Sequence, residues 1–171
     1  MQYALLALLV IPVACTILFM LIPSQYPQLV RYVALAGAVS MFVLSLVIFI
    51  VYQYDGGDGL RYRLQWTWLE NVGFLKGNGI TFFLALDGIA APLVLLNGIV
   101  ILAATLVSWN INYRPKDFFV LLFLLVAGVY GTFISEDLFF FFFWYEVAVL
   151  PMYLLIAVWG ASSNFGTFTR T

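Results

Sequence analysis

Glu146 is the residue whose type and setting most demand chemistry. It stands in an apolar run, flanked by Trp144, Tyr145, Val147, Ala148, Val149 and Leu150. If that run is a membrane-spanning helix starting near Leu138, the carboxylate lies about 12 Å along it. A carboxylate at that depth costs several kcal/mol unless it takes up a proton or faces a cation or a water file inside a bundle. Either escape makes it a competent proton acceptor, so Glu146 is expected to belong to a proton pathway. The alternative is a neutral glutamic acid that hydrogen-bonds a neighbouring helix and only holds it in place. Pro151 follows on the same run. Its missing N–H is expected to free the carbonyl of Val147, which must then find water or a side chain. A helix break there would support a hydrated path, though a proline can also serve bundle shape alone. Asp87, before Gly88, reads as a secondary intramembrane acid or, more simply, as a helix cap at the membrane surface.

Much chemistry is excluded by what is missing. The chain has no histidine and one cysteine, Cys15. It therefore offers no internal disulfide and no Cys/His cluster for a metal, haem or iron–sulfur centre. Phosphate-binding and dinucleotide glycine patterns are absent, as is a nucleophile–base pair in a polar setting. No cofactor and no metal is expected in this chain, so any redox chemistry belongs elsewhere. A net charge of −1 gives no footprint for nucleic acid. No lysine or arginine falls in the interior of an expected span, Arg31 standing at the start of one. An ionised Glu146 thus needs its basic partner from another polypeptide or from helices beyond these.

The elements that position Glu146 follow from composition. With 65% hydrophobic and only 9% charged residues, the chain lacks the polar surface to cover a water-soluble globule. The reading is an all-α integral membrane protein, an up-and-down bundle of about five transmembrane helices with a small surface β-hairpin between helices two and three. The helices are expected over about 3–22, 31–52, 88–109, 117–134 and 138–159, with an extramembrane loop at 54–79. The first run lacks a basic leader and is long enough to span, so it is read as a retained helix rather than a signal peptide. Pro12 should bend it, and Arg31 should snorkel at the start of helix two. In the loop, a turn at Asp55–Gly59 precedes the alternating Leu60–Trp66. A second turn at Lys76–Gly79 precedes an extended Ile80–Leu84. This hairpin is expected on the membrane surface, with Tyr62, Trp66 and Trp68 at the headgroups. Asp87 and Pro92 mark the start of helix three, and the acids of Ser135-Glu136-Asp137 are placed to cap helix five. The run Phe139–Phe143 is expected to face lipid or pack helices. Arg31, Arg114, Lys116 and Arg170 fall on one side of the membrane, and Arg61, Arg63 and Lys76 on the other. The first set favours a cytoplasmic face there, with the N-terminus and hairpin outside.

Two stretches carry a family resemblance. Leu86-Asp87-Gly88-Ile89 is one. The other is Asp137-Leu138-Phe139 through Phe143-Trp144-Tyr145-Glu146, then Leu150-Pro151-Met152-Tyr153-Leu154-Leu155-Ile156 and Trp159-Gly160. Together they resemble chain 4 (subunit M) of NADH–quinone oxidoreductase, respiratory complex I, an antiporter-like membrane subunit. The resemblance implies proton translocation driven by quinone reduction elsewhere in the complex. It implies that Glu146 pairs with a lysine on a later helix and tunes it, with ion-pair switching passed between adjacent subunits. Implied partners are the lipid bilayer and other membrane-arm subunits. The implied location is a bacterial plasma membrane, with an organelle inner membrane or thylakoid as alternatives. Members of that family carry many more helices, so the resemblance covers their N-terminal portion. The basic partner is expected on the missing C-terminal helices or a neighbouring subunit. Related readings are a cation/proton antiporter, a membrane-bound hydrogenase or a photosynthetic relative of complex I. A reading of another class is a purely structural membrane scaffold.

Overall fold

The structure is a computed structural model that describes residues 2–23, 25–54, 59–69 and 80–160. Its elements run α1 (Gln2–Leu21), α2 (Pro27–Tyr54), β1 (Arg61–Leu69), β2 (Ile80–Leu86), α3 (Ala90–Val107), a single 3-10 turn (Ser108–Asn110), α4 (Pro115–Ile134) and α5 (Leu138–Trp159). All five α-helices are long and apolar enough to cross a membrane. The expected turns at Asp55–Gly59 and Lys76–Gly79 lie wholly or mostly outside the described residues, as does the tail 161–171.

The helix ends differ from the sequence expectation in instructive ways. Helix α2 begins at Pro27, because a proline at the first helical position loses no bond it could have made. Arg31 therefore sits inside the helix rather than at its start. It does not snorkel freely: Nη2 donates to the carbonyl of Ile111 at 3.0 Å and to Asn112 Oδ1 at 3.2 Å. Helix α4 likewise starts on a proline, Pro115, with Arg114 Nε and Asp117 Oδ2 paired at 2.7 Å across its first turn. Helix α1 continues through Pro12, whose carbonyl accepts from Thr16 Oγ1 at 2.8 Å.

Helix α4 is the hub and touches each of the other four helices. Its Phe119, Phe123, Tyr130 and Ile134 are fully buried, as are Phe19 of α1, Met41 of α2 and Ile101 of α3. Phe19 meets Phe123 edge-to-face at 5.0 Å. Between α2 and α4 the hydroxyls of Ser45 and Tyr130 share a buried hydrogen bond of 2.9 Å. Helices in lipid gain little from hydrophobicity alone, so close packing and such bonds hold them together.

The two strands pair antiparallel, with Gln65 opposite Phe83 and Trp66 opposite Phe82. The hairpin lies on the surface of the bundle, with Trp66 and Trp68 of β1 exposed. Only Leu84, Ala85 and Leu86, at the end of β2, are completely buried, where the strand leads into α3.

At the opposite end of the bundle, Lys116 Nζ donates to the carbonyls of Met20 at 2.9 Å and Ile22 at 2.8 Å. A cation there satisfies the orphan carbonyls at the end of α1 and complements its dipole. Lys116→Ala is expected to destabilise the chain by about 1 kcal/mol. The check is the thermal unfolding midpoint in detergent; a midpoint equal to wild type would show that α1 does not depend on this contact.

Candidate functional site: an intramembrane carboxylate on α5

Helix α5 starts on Asp137, whose extended backbone leaves the helix while its side chain turns back. Oδ1 accepts from the amides of Phe139 at 2.9 Å and Phe140 at 3.4 Å. That arrangement satisfies donors which the first helical turn leaves orphaned.

Two glycines set how α5 lies on α4. The Cα of Gly128 abuts the backbone of Ala148 and the carbonyl of Trp144, and Gly131 abuts the Trp144 indole. Pro151, one helical repeat further on, is the buried residue of α5. Trp144, Ala148 and Pro151, spaced four and three apart, thus form the stripe facing α4. Glu146 lies about 200° around the helix from Ala148, on nearly the opposite side. It shares that outer face with Phe139, Phe142, Leu150 and Tyr153, all exposed. Glu146 is itself exposed on the surface of this chain. Among the described residues its carboxylate has no hydrogen bond and no ion pair. The described basic residues sit at the two ends of the bundle, far along the helices from it.

The other residues singled out from sequence are not brought to this point. Pro151 faces α4, whereas Glu146 faces away, and α5 runs unbroken through the proline to Trp159. Asp87 stands at the start of α3, where Oδ1 accepts from the amide of Ala90 at 2.5 Å. Its carboxylate is occupied at the bundle's end rather than within a span.

Sequence reasoning passed over several residues. Gly128 and Gly131 carry a signal in hindsight: glycines three apart inside an apolar run, where no turn is needed, mark a close helix crossing. Ser45 and Tyr130 carry none, since either reads alone as an isolated polar group. Asn97 Nδ2, Thr105 Oγ1 and Trp144 Nε1 are buried donors without a protein partner among the described residues. They leave polar groups inside the bundle that water could bind.

Chemically, then, the site is one carboxylate midway along an apolar helix, on its outward face. It can bind and release a proton or pair with a cation. Among the described residues there is no cluster of His, Cys, Asp and Glu able to hold a metal ion.

Known proteins share this chain's sequence and fold. No protein-family model matches it. Over 154 residues it is 35% identical to NAD(P)H-quinone oxidoreductase chain 4 3 of Picosynechococcus sp., a match covering 90% of this chain and 27% of that protein. Over 170 residues it is 31% identical to the chloroplastic NAD(P)H-quinone oxidoreductase chain 4 of Chara vulgaris, covering 99% and 33% respectively. Among solved structures, a chain of the membrane-bound sulfane sulfur reductase, an archaeal respiratory membrane complex, superposes with a TM-score of 0.71 over 92% of this chain and 31% of that one. At 20% identity that likeness concerns the fold. The protein is a multi-pass membrane chain related to NAD(P)H-quinone oxidoreductase chain 4, matched along nearly all of its own length and spanning only about a quarter to a third of those relatives.

Proposed function

We propose that this chain is the N-terminal membrane part of a proton-translocating, antiporter-like subunit of an NAD(P)H–quinone oxidoreductase, and that Glu146 is a proton-pathway residue. One observation carries the reading. The carboxylate sits at membrane depth, turned away from its own bundle, on a face otherwise made of Phe139, Phe142, Leu150 and Tyr153. Left to lipid, such a group costs several kcal/mol, so the face must be covered by something that pairs with it. A basic side chain on a further helix or a neighbouring subunit of the complex meets that need. Opening and closing such a pair changes the proton affinity of both partners, which is the elementary step of translocation. Redox chemistry and its cofactors are assigned to other subunits. The end bearing Arg31, Arg114 and Lys116 is assigned to the cytoplasmic side of a bacterial plasma membrane or the equivalent side of a thylakoid.

The deciding experiment is Glu146→Gln in the assembled complex, reconstituted in vesicles. Proton translocation per quinone reduced is expected to fall roughly 100-fold or more, the scale on which a positioned acid–base group acts. Glu146→Asp, which keeps the acid, should retain part of it. Intact assembly with undiminished translocation would sink the proposal. Lost assembly would instead favour a scaffold in which Glu146 only holds helices together.

A further inference from the structure

Helix α5 is seated on α4 at the glycine crossing, held at its far end where Trp159 Nε1 donates to the carbonyl of Tyr113 at 3.0 Å, and open on its outer half. What the crossing leaves adjustable in its roll is fixed by the contacts at its two ends. One residue's worth of roll, about 100°, would carry Glu146 from the outer face to the flank.

The first end is pinned by the hairpin, through three independent contacts. Asp137 uses its two oxygens differently. Oδ1 caps α5, while Oδ2 accepts from both the amide and the hydroxyl of Thr81 on β2, each at 3.4 Å. The turn before α5 then pairs with β2 as a fragment of a third strand: the amide of Glu136 donates to the carbonyl of Phe83 at 3.0 Å, and Ser135 bridges Leu84. Finally, an aromatic cluster closes over the first turn of α5. The Trp68 ring lies 5.8 Å from Phe139 and 5.7 Å from Phe140, and Phe82 meets Phe140 edge-on at 4.9 Å. Each Oδ2 bond is long, but strand pairing and ring packing act on the same turn and in the same sense. Phe139 and Phe140 of the phenylalanine-rich run thus seat this joint, while Phe142 and Phe143 are exposed.

We infer that β2 and Asp137 form a latch that, together with the glycine crossing, sets the axial position and rotation of α5, making Asp137 and Thr81 positioning residues for Glu146. This rests on Glu146 being a proton-pathway residue. It adds a role for the hairpin: a change in the hairpin's position is transmitted to the carboxylate through the start of α5.

The test uses the full-length subunit in its assembled complex. Nitroxides are placed at Gln65→Cys on β1 and Ile156→Cys on α5, both exposed in this chain and the second about 80° around the helix from Glu146, in a background without other reactive cysteines; Cys15 is buried. Electron–electron distance measurements should give one narrow distribution in the parent and a broadened or shifted one with Asp137→Ala. Translocation per quinone reduced should fall roughly tenfold in Asp137→Ala, since small misplacements of a reacting group are costly. Asp137→Asn keeps the cap, because asparagine caps as well as aspartate, but can lose the acceptor for Thr81. It should fall between, as should Thr81→Val, which removes only the hydroxyl. These two variants carry the same comparison if Asp137→Ala fails to assemble. An unchanged distance distribution in all three variants would overturn the latch. Altered distances with undiminished translocation would overturn its positioning role. If Glu146→Gln itself translocates normally, the functional reading fails, and the distance measurement still decides whether the latch exists.

Discussion

Gly128→Ala is expected to unseat α5 from α4 and to lower both stability and proton translocation. A Cβ at this position would lie 2.5 Å from the Ala148 amide nitrogen, 2.8 Å from the Ala148 Cα and 2.8 Å from the Trp144 carbonyl oxygen. All three atoms are backbone, so no rotamer change relieves the clash. The helices must separate, and dispersion contacts along the stripe are lost with them. Overpacking a close site costs about 1–3 kcal/mol, and more where the opposing atoms cannot yield. In lipid the loss is not recovered by any hydrophobic gain, since tails solvate the separated faces equally well. Gly131→Ala presses instead on the inner edge of the Trp144 indole, with a new Cβ driven against its Cγ and Cδ2, and so tests the same crossing against a side chain rather than backbone. The checks are the unfolding midpoint of the purified chain in detergent and translocation by the complex in vesicles. A wild-type midpoint for Gly128→Ala would show that α5 is not seated on α4 at this crossing.

Tyr130→Ala should produce the other large effect. Tyr130 is the bulkiest fully buried side chain of the hub helix and contacts α2 through Ser45. Removing an aromatic ring from a packed core costs about 3–5 kcal/mol through lost contacts and the residual cavity. Ser45, itself fully buried, would also lose its hydroxyl partner. Tyr130→Phe separates the two terms, because it keeps the ring and removes only the hydrogen bond, for about 1 kcal/mol. Equal losses for the two variants would mean that the hydroxyl, and not the ring, dominates. The same unfolding measurement distinguishes them.

The latch and the glycine crossing locate the boundary between what the chain states locally and what the fold decides. The five spans, the strands and the caps at Asp87 and Asp137 were legible because hydropathy, helical period and capping are properties of neighbouring residues. Glu146 was legible as an anomaly for the same reason: a carboxylate amid Trp144, Tyr145, Val147 and Ala148 stands out in a window of one helix. Helices α2 and α4 start at Pro27 and Pro115, a few residues before the expected 31 and 117, because proline fits the first helical position, where no N–H is needed.

Which way Glu146 points was not legible. Helix α5 is apolar all round, so its periodicity gives no inner face, and only the glycines of α4, on another helix, choose one. Nor could the second use of Asp137 be read, since Thr81 lies 56 positions away, nor the bond between Ser45 and Tyr130 across 85. The sequence by itself determined that five helices are long and apolar enough to cross a membrane and that one of them carries an acid midway along it, because hydropathy and a charge in an apolar run are properties of neighbouring residues. The tertiary structure alone decided that the acid faces outward, unpartnered among the described residues, with α5 seated by two glycines and pinned by a hairpin. Those facts depend on contacts between segments far apart in the chain, and no local pattern encodes them.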